Sequence, residues 1–375
     1  MTIDCVTGNS ERMRTELPPN LSSIASEAGV SRMTVSRALR NVRGVDPATR
    51  LRILSAAEKL GYRPNPLVSA FMSFVRTSKV HGDAGVLAYL TDGPTRDGWR
   101  SHQVYARFFN GATDRAESRG YRLEEFWLRE RGLKARRLSE ILYARGIRGV
   151  VVGPMTSAHA HLNLEWEKFS TGAIGYSLLK PILSRASNDQ HSSMLLAMRE
   201  LRKLGYKRIG LLIPSADDAR VHYHWTAAFL LHHWRYNQDQ KPALYVPTAW
   251  KDAQAFAWIR KTRPDAIVTT QSHFLQRLID AGFEIPGKLG VVNLDWSGSH
   301  APASGVDQQA EQVGGAAVDL VVNQINKNES GILMFPKTVL LTGTWVSGST
   351  TKNLKTDPAK KQHQKPTRAV SPSRR

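Results

Sequence analysis

Six short apolar runs recur between residues 85 and 295, and each is cut off by Gly, Pro or Asp. They are GVLAYLTD (85–92), GVVVGP (149–154), GAIGYSL (172–178), RIGLLIP (208–214), AIVTT (266–270) and LGVVNLD (289–295). Strands of this kind do not alternate apolar with polar side chains, so both of their faces must be covered. That is the pattern of a parallel sheet with helices on either side. Stretches with helical spacing lie between the runs, for example SSMLLAMRELRKLGY (192–206) and FLQRLIDAGF (274–283). A body of about 270 residues suits two such sheets better than one.

A different pattern precedes the body. Residues 1–19 are polar, end in Pro18-Pro19 and are expected to form a disordered leader. From Asn20 to Tyr62 three short helices can be placed by their caps. Asn20 can cap the first, whose apolar positions Leu21, Ile24, Ala25 and Ala28 share one face. Gly29 permits a tight turn, and Ser31 can cap a second helix with Val35, Ala38 and Leu39 inward. Arg32, Met33, Ser36, Arg37 and Arg40 occupy its opposite face. Asp46 can cap a third helix with Pro47 at its first position and Ile53, Ala57 and Leu60 as its core stripe, and Gly61 ends it. Arg63-Pro64-Asn65-Pro66 then makes a proline-punctuated joint.

Charge narrows the partners. The formal net charge is +20, concentrated at two places. Residues 21–80 carry 10 Lys/Arg against 3 Asp/Glu, and residues 352–375 carry 8 against 1. Such patches can neutralise phosphates. The basic tail, poor in large apolar side chains, is expected to be disordered and mainly to aid solubility. The single cysteine, Cys5, permits no disulfide within the chain. That fits a reducing compartment. No apolar run suits a signal peptide or a membrane span, so a cytoplasmic protein is expected.

The A-x-x-A-G-V-S spacing is that of a helix-turn-helix, whose second helix enters the major groove of DNA. Arg32, Met33 and Arg37 would then face base edges, with Ser31, Ser36 and Thr49 on phosphates. LSSIASEAGVSRMTVSRAL (21–39) followed by VDPATRLRILSAAEKLGYRPN (45–65) resembles the head of the LacI/GalR family of bacterial transcription regulators. The resemblance implies a homodimer on a double-stranded, pseudo-palindromic operator. It also implies that residues 65–80 form a hinge helix that wedges into the minor groove. Asn65 can cap that helix, and Val68, Phe71 and Met72 form its apolar edge, with Phe71 at the wedge position usually held by leucine. Arg40 stands where the family has an asparagine.

The resemblance continues over residues 85–351, through RGIRGVVVGP, RELRKLGYKRIGLL, AGFEIPGKLGVVNLD and TVLLTGTWVSGST. It implies an all-α helix-turn-helix head (20–64) plus an α/β two-lobed periplasmic-binding-protein-like core with parallel sheets. The implied lobes are 84–187 with 306–329, and 188–305 with 330–351. Three crossovers would join them around a ligand cleft. Alignment places Tyr176, Trp225, Gln271, Asp295 and Trp296 at effector-binding positions. Trp225 replaces an arginine usual in sugar-binding members, Gln271 an asparagine, and Trp296 a second acid. Two readings stay open: a small-molecule effector, a sugar or related metabolite being the candidate, or a regulator that responds to none.

Other chemistries find little support. His222, His224, His232 and His233 lack partners at metal-ligand spacing, apart from Asp217-Asp218. No nucleophile elbow, zinc-protease motif or phosphate-binding loop is present, so neither an enzyme nor a cofactor is expected. The competing assignment is a sugar-binding receptor-like module without a transcriptional role, which the basic helical head opposes.

Overall fold

The computed structural model describes residues 21–39, 45–62, 85–236, 240–271, 273–298 and 302–355. The expected leader, the Asn20 cap and the hinge at 65–80 lie outside the described residues. The chain divides into two compact units at Lys79/Val80.

The first unit holds helices α1 (Leu21–Ala28), α2 (Arg32–Leu39) and α3 (Pro47–Lys59). Its core is small: Ile24, Val35 and Ile53 are fully buried, with Ala25, Ala28, Ala38, Ala56 and Ala57 around them. Two of the expected caps form. Ser31 Oγ accepts from Thr34 N at 3.1 Å, and Asp46 Oδ2 accepts from Thr49 N at 3.1 Å. Each supplies an acceptor to a helix-start amide that has no partner within its own helix. Gly29 turns the chain with φ +63°, a conformation side-chain-bearing residues resist.

The second unit is two-lobed. One six-stranded sheet has the order β13-β7-β5-β3-β1-β2. Its strands are β1 (Gly85–Thr91), β2 (Tyr121–Trp127), β3 (Gly149–Val152), β5 (Ser170–Ile174), β7 (Arg185–Asn188) and β13 (Thr338–Leu341). The other sheet has the order β14-β12-β11-β10-β8-β9. Its strands are β8 (Ile209–Leu212), β9 (Ala243–Tyr245), β10 (Ala266–Thr269), β11 (Gly290–Trp296), β12 (Ser304–Asp307) and β14 (Thr344–Val346). Every pair in both sheets is parallel except β12 with β14. A short pair, β4 (Ala160–His161) and β6 (Leu178–Lys180), flanks the first lobe.

The six apolar runs all contain strands, and the strands have buried faces as expected. The other strands carry mixed or polar sequences such as RASN and SGVD, whose pairing depends on the sheet they join. One lobe boundary needs correction. Residues 330–351 do not all belong to the second lobe, because β13 pairs with β7 in the first sheet. Residues 306–307 sit within β12 of the second sheet. The chain therefore crosses between lobes after Asn188, after Asp307 and after Leu341. The tail also begins later than expected. Lys352 N donates to Tyr206 Oη, Leu354 N donates to Leu204 O, and the Leu354 side chain packs on the second-lobe core.

Helices α4 (Gln103–Ser118) and α11 (Ala310–Lys327) cover one face of the first sheet and pack closely on each other. A Cβ at Gly111 would lie 1.9 Å from Glu311 O, and one at Gly314 would lie 2.0 Å from Phe108 O. The backbones touch where only hydrogen fits. Ion pairs flank this contact: Arg115 Nη1 is 2.6 Å from Asp319 Oδ2, and Arg119 Nη2 is 2.7 Å from Asp319 Oδ1. Gly314→Ala is expected to lower stability by about 1–3 kcal/mol through overpacking, read as a lower urea midpoint at unchanged slope.

Candidate nucleic-acid interface and effector cleft

The head presents α2 with its apolar side inward and its polar side free. Arg32 and Arg37 are exposed, and Met33 is 71% exposed on the same helix. An exposed methionine between arginines has no packing role in the head, whereas it can meet base edges or thymine methyls. Ser31, also exposed, is engaged as the cap. Thr49 is half-buried at the start of α3, and Leu21 is half-buried against the head core. Arg40, Asn65, Val68, Phe71 and the side chain of Ser36 lie outside the described residues.

In the second unit the carboxyl ends of both sheets' parallel strands meet at the crossovers, the usual place for ligands in open α/β sheets. An acidic group lies on one side. Asp295, near the end of β11, accepts from Gln308 Nε2 at 3.3 Å. Burial pushes its carboxyl up to about 6, with neighbouring Asp217 adding to the rise and Arg107 opposing it. Asp217 Oδ2 accepts from Thr270 Oγ1 at 2.7 Å and from Gln271 Nε2 at 3.0 Å.

Arg107, on α4, ties the lobes together. It donates from Nε to Glu311 Oε1 at 2.6 Å and from Nη2 to Asp307 Oδ1 at 3.0 Å. Its bond to Glu311 raises the guanidinium above its ordinary range. Arg220, from the second lobe, donates to Thr156 O at 2.8 Å and to Tyr105 Oη at 2.7 Å in the first. Ser297 Oγ lies 2.7 Å from Gln103 Oε1. A groove of about 530 Å³ opens beside these bridges, lined by Arg100, Gln103, Ala106, Arg107, Ser297, Gly298 and Glu311.

A basic and aromatic group lies around Tyr176, in the loop after β5. Its ring centroid is 4.9 Å from His222 and 5.3 Å from His224, and the Arg185 guanidinium carbon is 5.3 Å from the ring centroid. Burial lowers the His222 imidazole, with Arg185, His224 and His159 adding repulsion. His222 and Tyr223 both have positive φ, 53° and 62°. Two consecutive left-handed non-glycine residues are strained, a feature that collects at binding sites.

The expected cleft residues are therefore only partly reunited. Asp295 and Gln271 belong to the acidic group, and Tyr176 to the basic one. Trp225 is 6% exposed in the second-lobe core on α8 (His224–Tyr236), where large apolar neighbours enclose the indole. Its Nε1 has no hydrogen-bond partner. Trp296 is half-buried and its Nε1 donates to Ala303 O at 2.9 Å, so the indole is held by its own lobe. The four histidines separate as well. His232 is buried on α8, its ring centroid 4.7 Å from that of Tyr236, with its imidazole lowered to about 4 by burial.

Sequence reasoning missed Tyr105, Arg107, Arg185 and Arg220. Arg185 carried one signal, a lone charge opening the polar strand segment RASN. The others look like surface residues until the lobes are assembled.

Residues 20–65 match the family described as bacterial regulatory proteins, lacI family. The head is similar to that family over these residues. Residues 198–351 match the periplasmic binding protein-like domain. Among curated relatives, the HTH-type transcriptional regulator GntR of Pseudomonas aeruginosa is 41% identical over 68 residues, 18% of this chain and 20% of its own. The HTH-type transcriptional regulator MalR of Streptomyces coelicolor is 28% identical over 202 residues, 52% of this chain and 53% of its own. The chain thus spans about half the length of the latter and a fifth of the former. Among solved structures, a transcriptional regulator CelR–cellobiose complex superposes with a TM-score of 0.53 at 20% identity, covering 88% of this chain and 99% of that one. The lac repressor dimer bound to operator and an anti-inducer superposes with a TM-score of 0.51 at 18% identity, covering 90% and 100%. These likenesses show the fold: a helical helix-turn-helix head followed by a two-lobed α/β core with parallel sheets.

The high Asp295 value has a consequence for stability. Its folded-state pKa is raised from 3.8 to about 6, so keeping it ionised costs folding energy. Below pH 4 that cost vanishes; it grows as pH rises through 6 and then stays level, at up to about 3 kcal/mol. Asp295→Asn is expected to raise the melting midpoint about three times as much at pH 7.5 as at pH 4.5. Equal shifts at both pH values would refute the assignment.

Proposed function

We propose that this protein is a sequence-specific DNA-binding transcription regulator that acts as a homodimer on a pseudo-palindromic operator. Its DNA affinity is set by a small molecule held between the lobes of the core. The observation that carries this reading is the capped α2, whose exposed Arg32, Met33 and Arg37 have no structural task, in a head of the lacI family. Arginine bonds guanine bidentately, and a helix of this size fits the major groove. Ser31, Ser36, Thr49 and Arg40 are assigned to the flanking phosphates and bases, and Leu21 to the head's contact edge. Residues 65–80 are assigned to a hinge helix in which Asn65 is the cap and Val68 and Phe71 form the wedge.

The core supplies the sensing half. The bridges made by Arg107 and Arg220 span the lobes, so a molecule bound between them alters how readily they separate. Such domain closure is an established way to transmit binding. Asp295, Gln271 and Tyr176 are the polar contacts we assign to the effector; Trp225 and Trp296 shape the second lobe behind them. The cellobiose held by a regulator of the same fold makes a sugar-like molecule the reference ligand. The relatives are named regulators, and the reading requires no enzymatic step and no cofactor. Its place of action is the cytoplasm, where operator DNA lies.

Selection from random duplexes is expected to return a two-fold symmetric site. Arg37→Ala should weaken binding to that site by about 10- to 100-fold, equivalent to about 1–3 kcal/mol, with little change on unrelated duplex. Binding that follows salt but shows no sequence preference would overturn the reading. Deleting residues 356–375 should leave the selected site unchanged and reduce the salt sensitivity of binding, measured as the slope of affinity against salt concentration.

A further inference from the structure

Arg185, the first residue of β7, is 6% exposed, yet no acid among the described residues forms an ion pair with it. Its recorded hydrogen bond runs from Nη1 to the Gly175 carbonyl at 3.2 Å, and its guanidinium lies over the Tyr176 ring. Removing a guanidinium from water without a counter-charge costs several kcal/mol, so folds avoid it unless something else supplies the charge. Nearby acids are already committed. Asp189 caps the helix at 190–203, accepting from Ser192 N at 2.9 Å and Ser192 Oγ at 2.7 Å. Asp218 is 1% exposed and accepts from Thr226 N at 3.3 Å at the start of α8.

The surroundings are basic as well. His222 and His159 are exposed, and His224 and Tyr176 are half-buried. Arg185 thus lies against the Tyr176 ring, and the His222 and His224 imidazoles pack against the same ring. The strained His222-Tyr223 backbone puts the His222 ring against Tyr176 across the two lobes. Beyond the Nη1 bond to Gly175, the Arg185 guanidinium and the neighbouring imidazoles offer further N–H donors and no carboxylate partner among the described residues. That is the donor set for a carboxylate or a phosphate.

We propose that the effector carries an anionic group, a carboxylate or a phosphate, which docks on Arg185 between Tyr176, His222 and His224. The proposal rests on reading the interlobe cleft as the effector site. The acidic group at Asp217 and Asp295 would take the hydroxyls of the same molecule, so the cleft is polarised from one end to the other. A sugar acid or a sugar phosphate has that shape; a neutral sugar leaves Arg185 unpaired.

The test is thermal unfolding of the full chain in phosphate, acetate or chloride at matched ionic strength. Phosphate or acetate is expected to raise the core's midpoint by about 2–4 °C over chloride. The larger of the two responses identifies which anion the site takes. Arg185→Met should abolish the rise, and His222→Ala, an exposed position that leaves the core packed, should at least halve it. Any rise contributed by anions at the basic head is measured with Arg37→Ala and subtracted before the variants are compared. No rise over chloride, or an equal rise in Arg185→Met and His222→Ala, would overturn the proposal. Operator selection reads the DNA-binding function independently, so either can fail alone.

Discussion

Arg107 holds the two lobes of the core together. Its guanidinium reaches Glu311 on a first-lobe helix and Asp307 at the end of a second-lobe strand, so one side chain spans the seam. The three side chains are only partly exposed, and in such surroundings charge-assisted bonds are stronger than at an open surface. Arg220 supplies a second strap to Thr156 and Tyr105 on the other side of the cleft.

The close contact of α4 with α11 gives Arg107 and Glu311 their spacing. Gly111 and Gly314 let the two backbones touch, which sets the distance between the helices that carry these side chains. A larger residue at either glycine would separate the helices and with them the ends of the ion pair. Packing and electrostatics are therefore coupled at the seam between the lobes, and a mutation in the apolar contact can shift the ion pair without touching its members.

Charge in the cleft is sorted. Carboxyls collect near Asp295, where burial and mutual repulsion raise one of them, and cations collect near Arg185, where burial lowers the guanidinium and the imidazole of His222. Each cluster is costly in isolation. A single ligand with hydroxyls at one end and an anion at the other would relieve both, which explains why a fold would retain them. The head keeps its cost low in a different way, by leaving Arg32 and Arg37 in water.

Much of this architecture was legible in the residue order. The helix caps at Ser31 and Asp46, the turn at Gly29 and the apolar strand cores each depend on chemistry within a few residues of one another, so spacing alone reveals them. The exposed face of α2 followed from the same periodicity. The sheet order, the fate of β13 and the meeting of Arg107 with Asp307 did not, because they join residues up to 200 positions apart. Trp225 shows the limit most clearly: alignment placed it at a binding position, but an indole surrounded by the second-lobe core is set by packing. Sequence determined which segments become helix and strand, since that is decided by local hydrogen bonds and side-chain pattern. Only the folded chain decided which charges are buried together and which stay unpaired, because that depends on distances no single segment contains.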